Sequence, residues 1–278
     1  MSDRSERRTV DEPTLRMIAA EAYDAFNSGG RHVQSFSARH PGFTLDDAYR
    51  VTALAHAMRV SHGMKPVGRK IGFTNRTIWH EYNVFAPIWG YVYDRTMHDL
   101  SQPLSLSPFS EPKIEPEIMF GLSAAPSPGM DDPALLSCIE WVSHGIEIVQ
   151  SIFPAWKFSP PDTVAADALH AALLVGPRHP VRGRESEWLR TLSAFEIELY
   201  CDGVLMDRGR ATNVMEGPLS TLRYTMDLLA RDTHNPPLAA GEIISTGTLT
   251  RALPCHAGET WTTKPLGIAI EGVEIRFA

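Results

Sequence analysis

The sequence predicts an α+β fold, with helices first and a sheet afterwards. Two stretches with apolar residues at helical spacing fall within about residues 1–64, and residues that favour helix ends bound each of them. From Val67 onward, short apolar runs alternate with Gly and Pro, as in a sheet with many turns. We find no long linker in the 278 residues. We therefore expect a single domain over 1–278, with a helical N-terminal section over about 1–64 and a β-rich core over about 65–278.

The two early helices are marked by caps and by amphipathic stripes. The first begins after Pro13 and stops at Gly29-Gly30, and the second begins at the capping-box pattern Thr44-Leu-Asp-Asp47 and ends near Gly63. The stripes are Leu15, Ile18, Ala22 and Phe26 in the first helix and Ala48, Val51, Leu54, Ala55 and Met58 in the second. Each stripe needs a partner surface elsewhere in the fold.

Two more helices are predicted within the second part of the chain. One starts at Asp132-Pro133, continues to Val142 and is broken by Gly145, so that Glu147 falls on the strand that follows. The other begins at Gly217-Pro218. Their inward-facing residues are Leu136, Ile139 and Val142 in the first and Leu219, Leu222, Met226 and Leu229 in the second.

The segment Phe195-Glu-Ile-Glu-Leu-Tyr-Cys201 alternates apolar and polar residues, which predicts a half-buried strand. Asp202-Gly203 directly after it predicts a tight hairpin turn. Glu196 and Glu198 then share the polar face, and we interpret them as solvated strand residues.

The composition argues against binding to nucleic acid or to anionic lipid. The net charge is −7 and the pI is near 5.9, whereas both partners favour clustered Lys and Arg. The N-terminal residues lack the apolar core of a signal peptide, and no later run approaches the roughly 20 apolar residues that span a bilayer. Cys138, Cys201 and Cys255 lack metal-ligand spacing, which favours buried thiols in a reducing compartment. We therefore expect a cytoplasmic protein with no membrane or nucleic-acid partner.

The segment Lys113-Ile-Glu-Pro-Glu-Ile-Met-Phe120 carries two carboxylates one residue apart. On an extended segment Glu115 and Glu117 point to the same side of the backbone, where they could share one divalent cation. This argument alone does not distinguish a metal site from a solvent-exposed face of the strand. With Glu147 as a third carboxylate, the set becomes an oxygen-ligand site suited to Mg²⁺ or Mn²⁺. Because Pro116 cannot donate to a ladder, we expect this segment at a sheet edge or a bulge.

Six short motifs follow one another along the chain. They are Val67-Gly-Arg-Lys-Ile-Gly-Phe-Thr74, Ala86-Pro-Ile-Trp-Gly90, Ile114-Glu-Pro-Glu-Ile118, Glu147-Ile-Val-Gln-Ser151, Asp162-Thr-Val-Ala165 and Ser245-Thr-Gly-Thr248. In order and spacing they resemble the 2-oxopent-4-enoate hydratase and 4-oxalocrotonate decarboxylase family, which belongs to the fumarylacetoacetate hydrolase superfamily. The resemblance covers the chain from about Leu45 to Phe277. It implies a mixed β-roll core of the fumarylacetoacetate hydrolase C-terminal type with the early helices packed on it, and a homo-oligomer that could associate with another enzyme of its pathway.

The resemblance also implies a metal site and a class of substrate. Glu115, Glu117 and Glu147 would hold Mg²⁺ or Mn²⁺ in the β-rich core. The family's substrates are small 2-oxo or 2-hydroxydienoic acids, whose carboxylate and adjacent oxygen can chelate one cation.

Four other residues are candidates for substrate binding or proton transfer. Lys70 matches an active-site lysine of the family, and a nearby cation could depress its pKa. Arg69 could equally clamp the substrate carboxylate, since its fork matches a carboxylate. Lys157 is a further candidate for the same pocket, and Thr248 resembles the family's carboxylate-contacting hydroxyl.

The chain departs from the family's pattern at two positions. Ile88 stands where many family hydratases carry an acidic residue, so a carboxylate proposed to handle protons is missing. His170 stands where a small hydroxyl residue is expected. It has either taken over acid/base duty or is a packed, hydrogen-bonded histidine.

We expect a metal-dependent lyase that adds water to 2-hydroxypenta-2,4-dienoate-like substrates, giving 4-hydroxy-2-oxo acids in aromatic catabolism. The alternative is decarboxylation of a 2-oxo-3-enedioate, which Ile88 favours because that step needs no water activation. An alternative of another class is a non-catalytic partner subunit that keeps the metal but has lost its proton-transfer groups.

Overall fold

A computed structural model describes residues 10–29, 31–76, 79–82 and 85–278 of the chain. Its helices are α1 (Glu12–Asn27), α2 (Phe36–Arg39), α3 (Leu45–Ser61), α4 (Trp79–Tyr82), α5 (Asp132–Ser137), α6 (Pro160–Ala165), α7 (Glu185–Thr191) and α8 (Pro218–Leu229). Its strands are β1 (Pro66–Gly72), β2 (Ile88–Tyr93), β3 (Met97–His98), β4 (Lys113–Leu122), β5 (Ile139–Val149), β6 (His170–Pro180), β7 (Glu196–Cys201), β8 (Val204–Arg210), β9 (Ile243–Ser245), β10 (Leu253–Pro254), β11 (Thr260–Leu266) and β12 (Glu274–Arg276).

The strands form two sheets, and the larger one is mixed. Its order is β2-β1-β9-β4-β5-β6-β3, and β10 also pairs with β4. Most neighbours are antiparallel, whereas β1 with β9 and β3 with β6 are parallel. The second sheet is antiparallel, with the order β12-β11-β7-β8. Helices followed by a mixed sheet confirm the predicted α+β class.

The two long N-terminal helices lie where the sequence predicts them. Asp11 caps α1, and Thr44 and Asp47 form the reciprocal capping box at the start of α3. Gly30, expected to help end the first helix, lies outside the described residues. Most stripe residues of α1 and α3 pack with Ile88 and Phe153 in one apolar cluster, so the helices pack on the β2 end of the large sheet. Phe26 is the exception, because it is half-buried under the guanidinium of Arg59. Burial of these faces, rather than helix propensity alone, holds them in place.

The prediction of a helix from Asp132 through Val142 is wrong in its second half. Helix α5 ends at Ser137, and the chain then enters β5, which contains Gly145 as an internal residue. Strand β5 pairs with β4 and β6 along its length. The apolar residues at positions 139 and 142 fit the spacing of a helix as well as that of a buried strand. Pairing with β4 and β6 stabilises the strand.

Pro116 does not lie at a sheet edge, which corrects a second prediction. Strand β4 is central, with β5 on one side and both β9 and β10 on the other. The Pro116 carbonyl accepts a hydrogen bond from Leu249 N (3.0 Å) on the side away from β5. In an antiparallel strand the nitrogen of a residue points to the same side as its carbonyl. On that side β4 pairs with β10 at residues 113–114 and with β9 at residues 119–121. Pro116 lies between these two paired stretches, so its missing N–H costs no ladder hydrogen bond.

The predicted hairpin joins β7 to β8 through Asp202 and Gly203, which both have positive φ (47° and 79°). Glu196 is exposed, but Glu198 is covered by neighbours that share its face: Tyr200 donates to it at 2.5 Å and Arg208 lies at 2.9 Å. Only Glu196 is thus a solvated strand residue, because long side chains close over Glu198.

Helix α8 begins at Pro218, as predicted, and its four predicted inward residues are buried. The short helices α2, α4, α6 and α7 were not predicted. None of the helices in the described ranges is long and apolar enough to cross a bilayer.

Candidate metal centre and cleft

Three carboxylates meet on adjacent strands of the large sheet. Glu115 of β4 is directly opposite Glu147 of β5, and Glu117 lies two residues further along β4 on the same face. One oxygen from each carboxylate can be chosen so that all three lie within 4.8 Å of one another. Glu117 and Glu147 are fully buried, and Glu115 is half-buried. Like charges directly opposite in a ladder repel, so this arrangement needs a compensating positive charge.

The pKa values of these carboxyl groups, and the lack of hydrogen-bond partners for two of their oxygens, are what a site for a bound cation would show. Burial, with a contribution from the neighbouring carboxylates, raises the pKa of Glu115 and of Glu117 to about 8, although the charge of Lys70 acts to lower both values. Glu117 Oε1 and Glu147 Oε2 are buried and have no hydrogen-bond partner. Buried carboxylate oxygens without partners are costly, and a hard divalent cation is the ligand that such an oxygen set prefers.

The other oxygen of Glu117 is fixed by the segment that follows β9. Oε2 accepts hydrogen bonds from Ser245 Oγ (2.5 Å) and from Gly247 N (2.9 Å). Gly247 has φ of +96°, and a Cβ atom there would lie 1.8 Å from Thr74 Oγ1. Only glycine therefore allows this backbone to approach Glu117.

The other oxygen of Glu147 is fixed by two basic side chains. Oε1 lies 2.8 Å from His170 Nδ1 and 3.2 Å from Lys70 Nζ. The second ring nitrogen of His170 is 2.8 Å from Thr96 Oγ1. Burial lowers the pKa of His170 to about 3, so the ring is neutral at physiological pH. A neutral ring beside a carboxylate carries its proton on Nδ1 and donates it to Glu147.

Lys70 lies between the carboxylates and a backbone carbonyl. Its Nζ donates to the oxygen of Ala168 at 3.0 Å. Burial acts to lower the pKa of Lys70, but the negative charges of Glu147, Glu115 and Glu117 outweigh it and raise that pKa above its usual value. The depressed pKa that the sequence suggests for Lys70 depends on a bound cation beside it, and it stays a prediction. Lys70 is a cation here.

The turn that carries Ala168 is strained and was missed by sequence reasoning. Asp167, Ala168 and Leu169 have φ of 55°, 51° and 65° in succession. Asp167 accepts a hydrogen bond from Tyr91 N (2.8 Å) and pairs with Arg59 of α3 at 3.1 Å, with both side chains buried. A lone acidic residue in the apolar stretch from 164 to 175 was the available signal, since a buried charge requires a partner.

A cleft opens beside the carboxylates, with about 480 Å³ of space that is partly open to solvent. Its polar lining includes Lys70, Glu115 and Thr248, and the hydroxyl of Thr248 donates to Thr250 O at 3.0 Å. The aromatic part of its wall consists of Phe73, Trp156 and Phe158. The cleft therefore combines one charged end with an apolar body, as small-molecule sites do.

Two predicted substrate-binding residues are not in this cleft. Arg69 neighbours Lys70 in β1 and so points to the opposite face, where it pairs with Glu242 at 2.9 Å and stacks over Tyr91. Lys157 is exposed and does not line the cleft, although Trp156 and Phe158 on either side of it do. The alternation of side chains along β1 explains the position of Arg69. Lys157 follows a turn in which Ala155 and Trp156 both have positive φ.

His170 also lies outside the cleft lining, behind Glu147, and Ile88 is buried against the N-terminal helices. Asp162 serves the fold, because its carboxylate accepts hydrogen bonds from Ser35, Ser37 and Ser159. The structure thus places Lys70, Glu115 and Thr248 at the cleft. Glu117 and Glu147 are buried next to Glu115, and His170 supports Glu147 from behind.

No model of a known protein family matches the chain, but individual relatives do. It is 28% identical over 252 residues to 2-hydroxyhexa-2,4-dienoate hydratase of Comamonas testosteroni, with 90% of this chain and 92% of the relative covered. It is 30% identical over 222 residues to 2-keto-4-pentenoate hydratase of Paraburkholderia phymatum, with 80% and 82% covered.

Solved structures extend the comparison to the fold. The chain superposes on 4-oxalocrotonate decarboxylase from Pseudomonas putida G7, complexed with magnesium and adipate, with a TM-score of 0.89 and 25% identity over 98% of this chain and 100% of that one. Fumarylpyruvate hydrolase from Pseudomonas aeruginosa, complexed with Mn²⁺ and pyruvate, matches with a TM-score of 0.57 and 13% identity over 76% and 88%. The latter likeness concerns the fold alone.

Proposed function

Because the chain belongs to the family of 2-oxopent-4-enoate hydratases and 4-oxalocrotonate decarboxylases, within the fumarylacetoacetate hydrolase superfamily, we propose that it is a divalent-metal-dependent hydro-lyase. Its substrate would be 2-hydroxypenta-2,4-dienoate or a close relative, and its product a 4-hydroxy-2-oxo acid, as in the breakdown of aromatic compounds. The observation that carries the proposal is the pair of partnerless buried oxygens on Glu117 and Glu147 beside the cleft that Lys70 lines.

The residues that would hold Mg²⁺ or Mn²⁺ are Glu115, Glu117 and Glu147. Either ion, when bound, supplies a Lewis acid that binds the carboxylate and 2-oxygen of the substrate and stabilises negative charge on that oxygen. Ser245 and the Gly247 N–H orient Glu117, and His170 orients Glu147. A carboxylate that is hydrogen-bonded through one oxygen in this way keeps its other oxygen directed toward the metal ion.

Lys70 is the residue that we assign to the substrate itself. Its ammonium lines the cleft and lies 3.2 Å from Glu147 Oε1, so it can reach an anionic group placed beside the three glutamates. As a cation it can bind the substrate carboxylate and donate a proton to a dienolate carbon within reach. Thr248 adds a hydroxyl on the same wall. The apolar remainder of the cleft excludes water from the body of the substrate.

An assay of two substrates tests this function directly. With Mg²⁺ present, we expect the dienol absorbance of 2-hydroxypenta-2,4-dienoate to disappear without release of carbon dioxide. Glu115→Gln and Glu117→Gln should each abolish the reaction while the far-ultraviolet circular dichroism stays unchanged. Full metal-dependent turnover by the two folded variants would overturn the proposal.

Decarboxylation of a 2-oxo-3-enedioate is the second candidate. It is favoured by Ile88, which occupies the place of an acidic residue and is buried against apolar neighbours, and by the fold of a solved decarboxylase. Carbon dioxide released from 2-oxohex-3-enedioate, with no loss of the dienol, would select it. No turnover of either substrate would instead favour a non-catalytic partner subunit.

We also propose that the chain is a single catalytic domain, works in the cytoplasm and forms a homo-oligomer. All three cysteines are free thiols, which fits a reducing compartment. Val204, Leu205 and Met206 are exposed on the edge strand β8, which fits a surface that a second copy would cover. Light scattering on the purified protein tests the oligomer, and a monomeric mass would exclude it.

A further inference from the structure

We propose that Glu111 is a positioning residue for the substrate cleft, because it holds a strained turn that presents Trp156 as part of the cleft wall. Trp156 lines the cleft, whereas Glu111 lies behind it. The inference rests on the proposed function in one respect: the cleft must be where the substrate binds. It assigns a role to a carboxylate that neither the metal site nor the proposed chemistry uses.

Backbone strain is concentrated around the cleft. Four of the residues that line it have positive φ although they are not glycine: Phe73 (54°), Trp156 (56°), Ala168 (51°) and Leu169 (65°). Such conformations are costly for a residue with a side chain, and they persist only where the surrounding structure holds them. The strained turn at Trp156 therefore needs contacts that keep it in place.

This turn, residues 154–156, does not stabilise the core with its own side chains. None of its three residues is buried, and Ala155 and Trp156 are both in the left-handed region, with φ of 54° and 56°. Burial within the turn therefore does not offset the strain. What the turn provides is the half-buried ring of Trp156 at the cleft, followed two residues later by Phe158, which lines the same wall.

Glu111 holds the turn with both its side chain and its main chain. Its Oε1 accepts a hydrogen bond from Ala155 N at 2.9 Å, and its carbonyl oxygen accepts one from Trp156 Nε1 at 3.1 Å. His32 Nε2 lies 3.2 Å from the same Oε1 and steadies the carboxylate from the other side. Glu111 also has a positive φ (47°), so both sides of this contact are strained. One residue thus fixes the backbone of the turn and the indole nitrogen together.

The position of Glu111 in the chain links the aromatic wall to the metal-ligand candidates. Only three residues separate Glu111 from Glu115, and the last two of them already belong to β4. Strand β4 is held by its ladder with β5, which includes the pair of Glu115 and Glu147. Loss of the Glu111 side chain should therefore release Trp156 without moving the three glutamates. The expected effect is on substrate binding and not on metal binding.

Acrylamide quenching of Trp156 fluorescence tests the positioning role without any substrate. The chain has six tryptophans, so the emission of Trp156 is taken as the difference between each protein and the same protein with Trp156→Phe. We expect Glu111→Ala to raise the quenching constant of that emission by about twofold, because the turn opens locally. Glu111→Gln keeps an oxygen that can accept from Ala155 N and should resemble the unmodified protein.

Glu185→Ala is the matched control. Glu185 Oε1 accepts a hydrogen bond from Gly183 N at 2.9 Å, as Glu111 does from Ala155 N, but neither residue of that pair lines the cleft. It should leave the quenching of Trp156 unchanged.

Steady-state kinetics with 2-hydroxypenta-2,4-dienoate and Mg²⁺ then tests the effect on the substrate. We expect Glu111→Ala to raise KM by about tenfold and to change kcat by less than about twofold, because the wall aids binding while Lys70 and the glutamates stay in place. Glu111→Gln should bring KM back close to its original value. Calorimetric titration should give the same Mg²⁺ affinity for both variants as for the unmodified protein.

Each contrary result refutes a defined claim. Unchanged quenching of Trp156 in Glu111→Ala refutes the inference and leaves the proposed function intact. Stronger quenching with an unchanged KM refutes it too, since the turn would then serve the fold alone. Weaker Mg²⁺ binding in Glu111→Ala, or an equal rise of KM in Glu185→Ala, would reduce the role of Glu111 to general stability. No turnover by the unmodified protein refutes the proposed function, and the inference with it.

Discussion

His170 holds Glu147 by one oxygen only: Nδ1 is 2.8 Å from Oε1, while Oε2 of the same carboxylate has no protein partner. The histidine is fully buried and its second nitrogen is 2.8 Å from Thr96 Oγ1. A ring fixed at both nitrogens and kept neutral by burial orients a neighbour more readily than it exchanges protons with a substrate.

We therefore predict that His170 is a positioning residue. His170→Leu should weaken Mg²⁺ or Mn²⁺ binding by about tenfold to a hundredfold, because Glu147 loses the donor that aims it. His170→Asn, whose amide can donate in place of Nδ1, should restore much of the affinity. Calorimetric titration of the metal measures both variants. A large fall in kcat with unchanged metal affinity in His170→Leu would instead support acid/base duty.

The raised pKa values of Glu115 and Glu117 predict how the stability of the metal-free protein varies with pH. Both groups titrate near 8, against 4.5 ordinarily, so their contribution to stability is fully present below pH 4.5 and is lost as pH rises through 8. The lowered pKa values of His144 and His170, about 4 and about 3 against 6.5, affect stability only below pH 6.5. In EDTA, the free energy of unfolding should therefore fall between pH 6.5 and 8.

Urea denaturation at three pH values across that interval measures the effect. Saturating Mg²⁺ should reverse the trend, because a cation stabilises the ionised carboxylates and binds only the folded chain. Glu117→Gln should raise stability in EDTA and remove most of the response to Mg²⁺. A flat profile in EDTA would show that the carboxyl groups titrate near their ordinary values.

Gly247 is predicted to be intolerant of any side chain. A Cβ atom would lie 1.8 Å from Thr74 Oγ1 at a φ of +96°, so Gly247→Ala must displace the N–H that binds Glu117. We expect a loss of about 1–3 kcal/mol in unfolding free energy together with weaker metal binding. Gly258→Ala is the matched control, since its φ is +90° with nothing within 4 Å. It should cost only about 1 kcal/mol and leave metal binding unchanged.

The sequence was sufficient for features that depend on local periodicity. The caps of α1 and α3 and the shared face of Glu115 and Glu117 follow from residue spacing. The pairing of Glu115 with Glu147 depends on the register between two strands, which the sequence does not give. The residue types suggested Glu147 as a third carboxylate, and the family motifs supported that grouping.

Features that depend on tertiary contacts were misjudged or missed. The first part of β5, residues 139–142, was predicted as helix because its apolar residues fit either period until β4 and β6 supply the ladders, whereas the strand around Glu147 was predicted correctly. Arg69 was assigned to the site, although its neighbour Lys70 already occupies that face of β1. The contact between Thr96 and His170 joins residues 74 apart in sequence, which no local pattern encodes.

The buried pair of Arg59 and Asp167 gives the last prediction. Arg59 Nη1 lies 3.1 Å from Asp167 Oδ2, and the guanidinium stacks over Phe26 and Tyr93. Arg59→Met should cost about 3–5 kcal/mol, because it leaves a buried carboxylate without its counter-charge. Asp167→Asn in the same chain should recover much of that loss, since the amide oxygen can still accept from Tyr91 N without bearing a charge.

The double-mutant cycle separates a pairing effect from a simple packing defect. If Arg59→Met and Asp167→Asn lower the urea midpoint additively, the two side chains do not stabilise each other, and the prediction is wrong. If the double variant is more stable than Arg59→Met alone, the pair is coupled. Because the strained turn at Asp167 also presents the Ala168 carbonyl to Lys70, Arg59→Met should raise KM for the substrate as well. The double variant, with the turn re-formed, should bring KM back toward its original value.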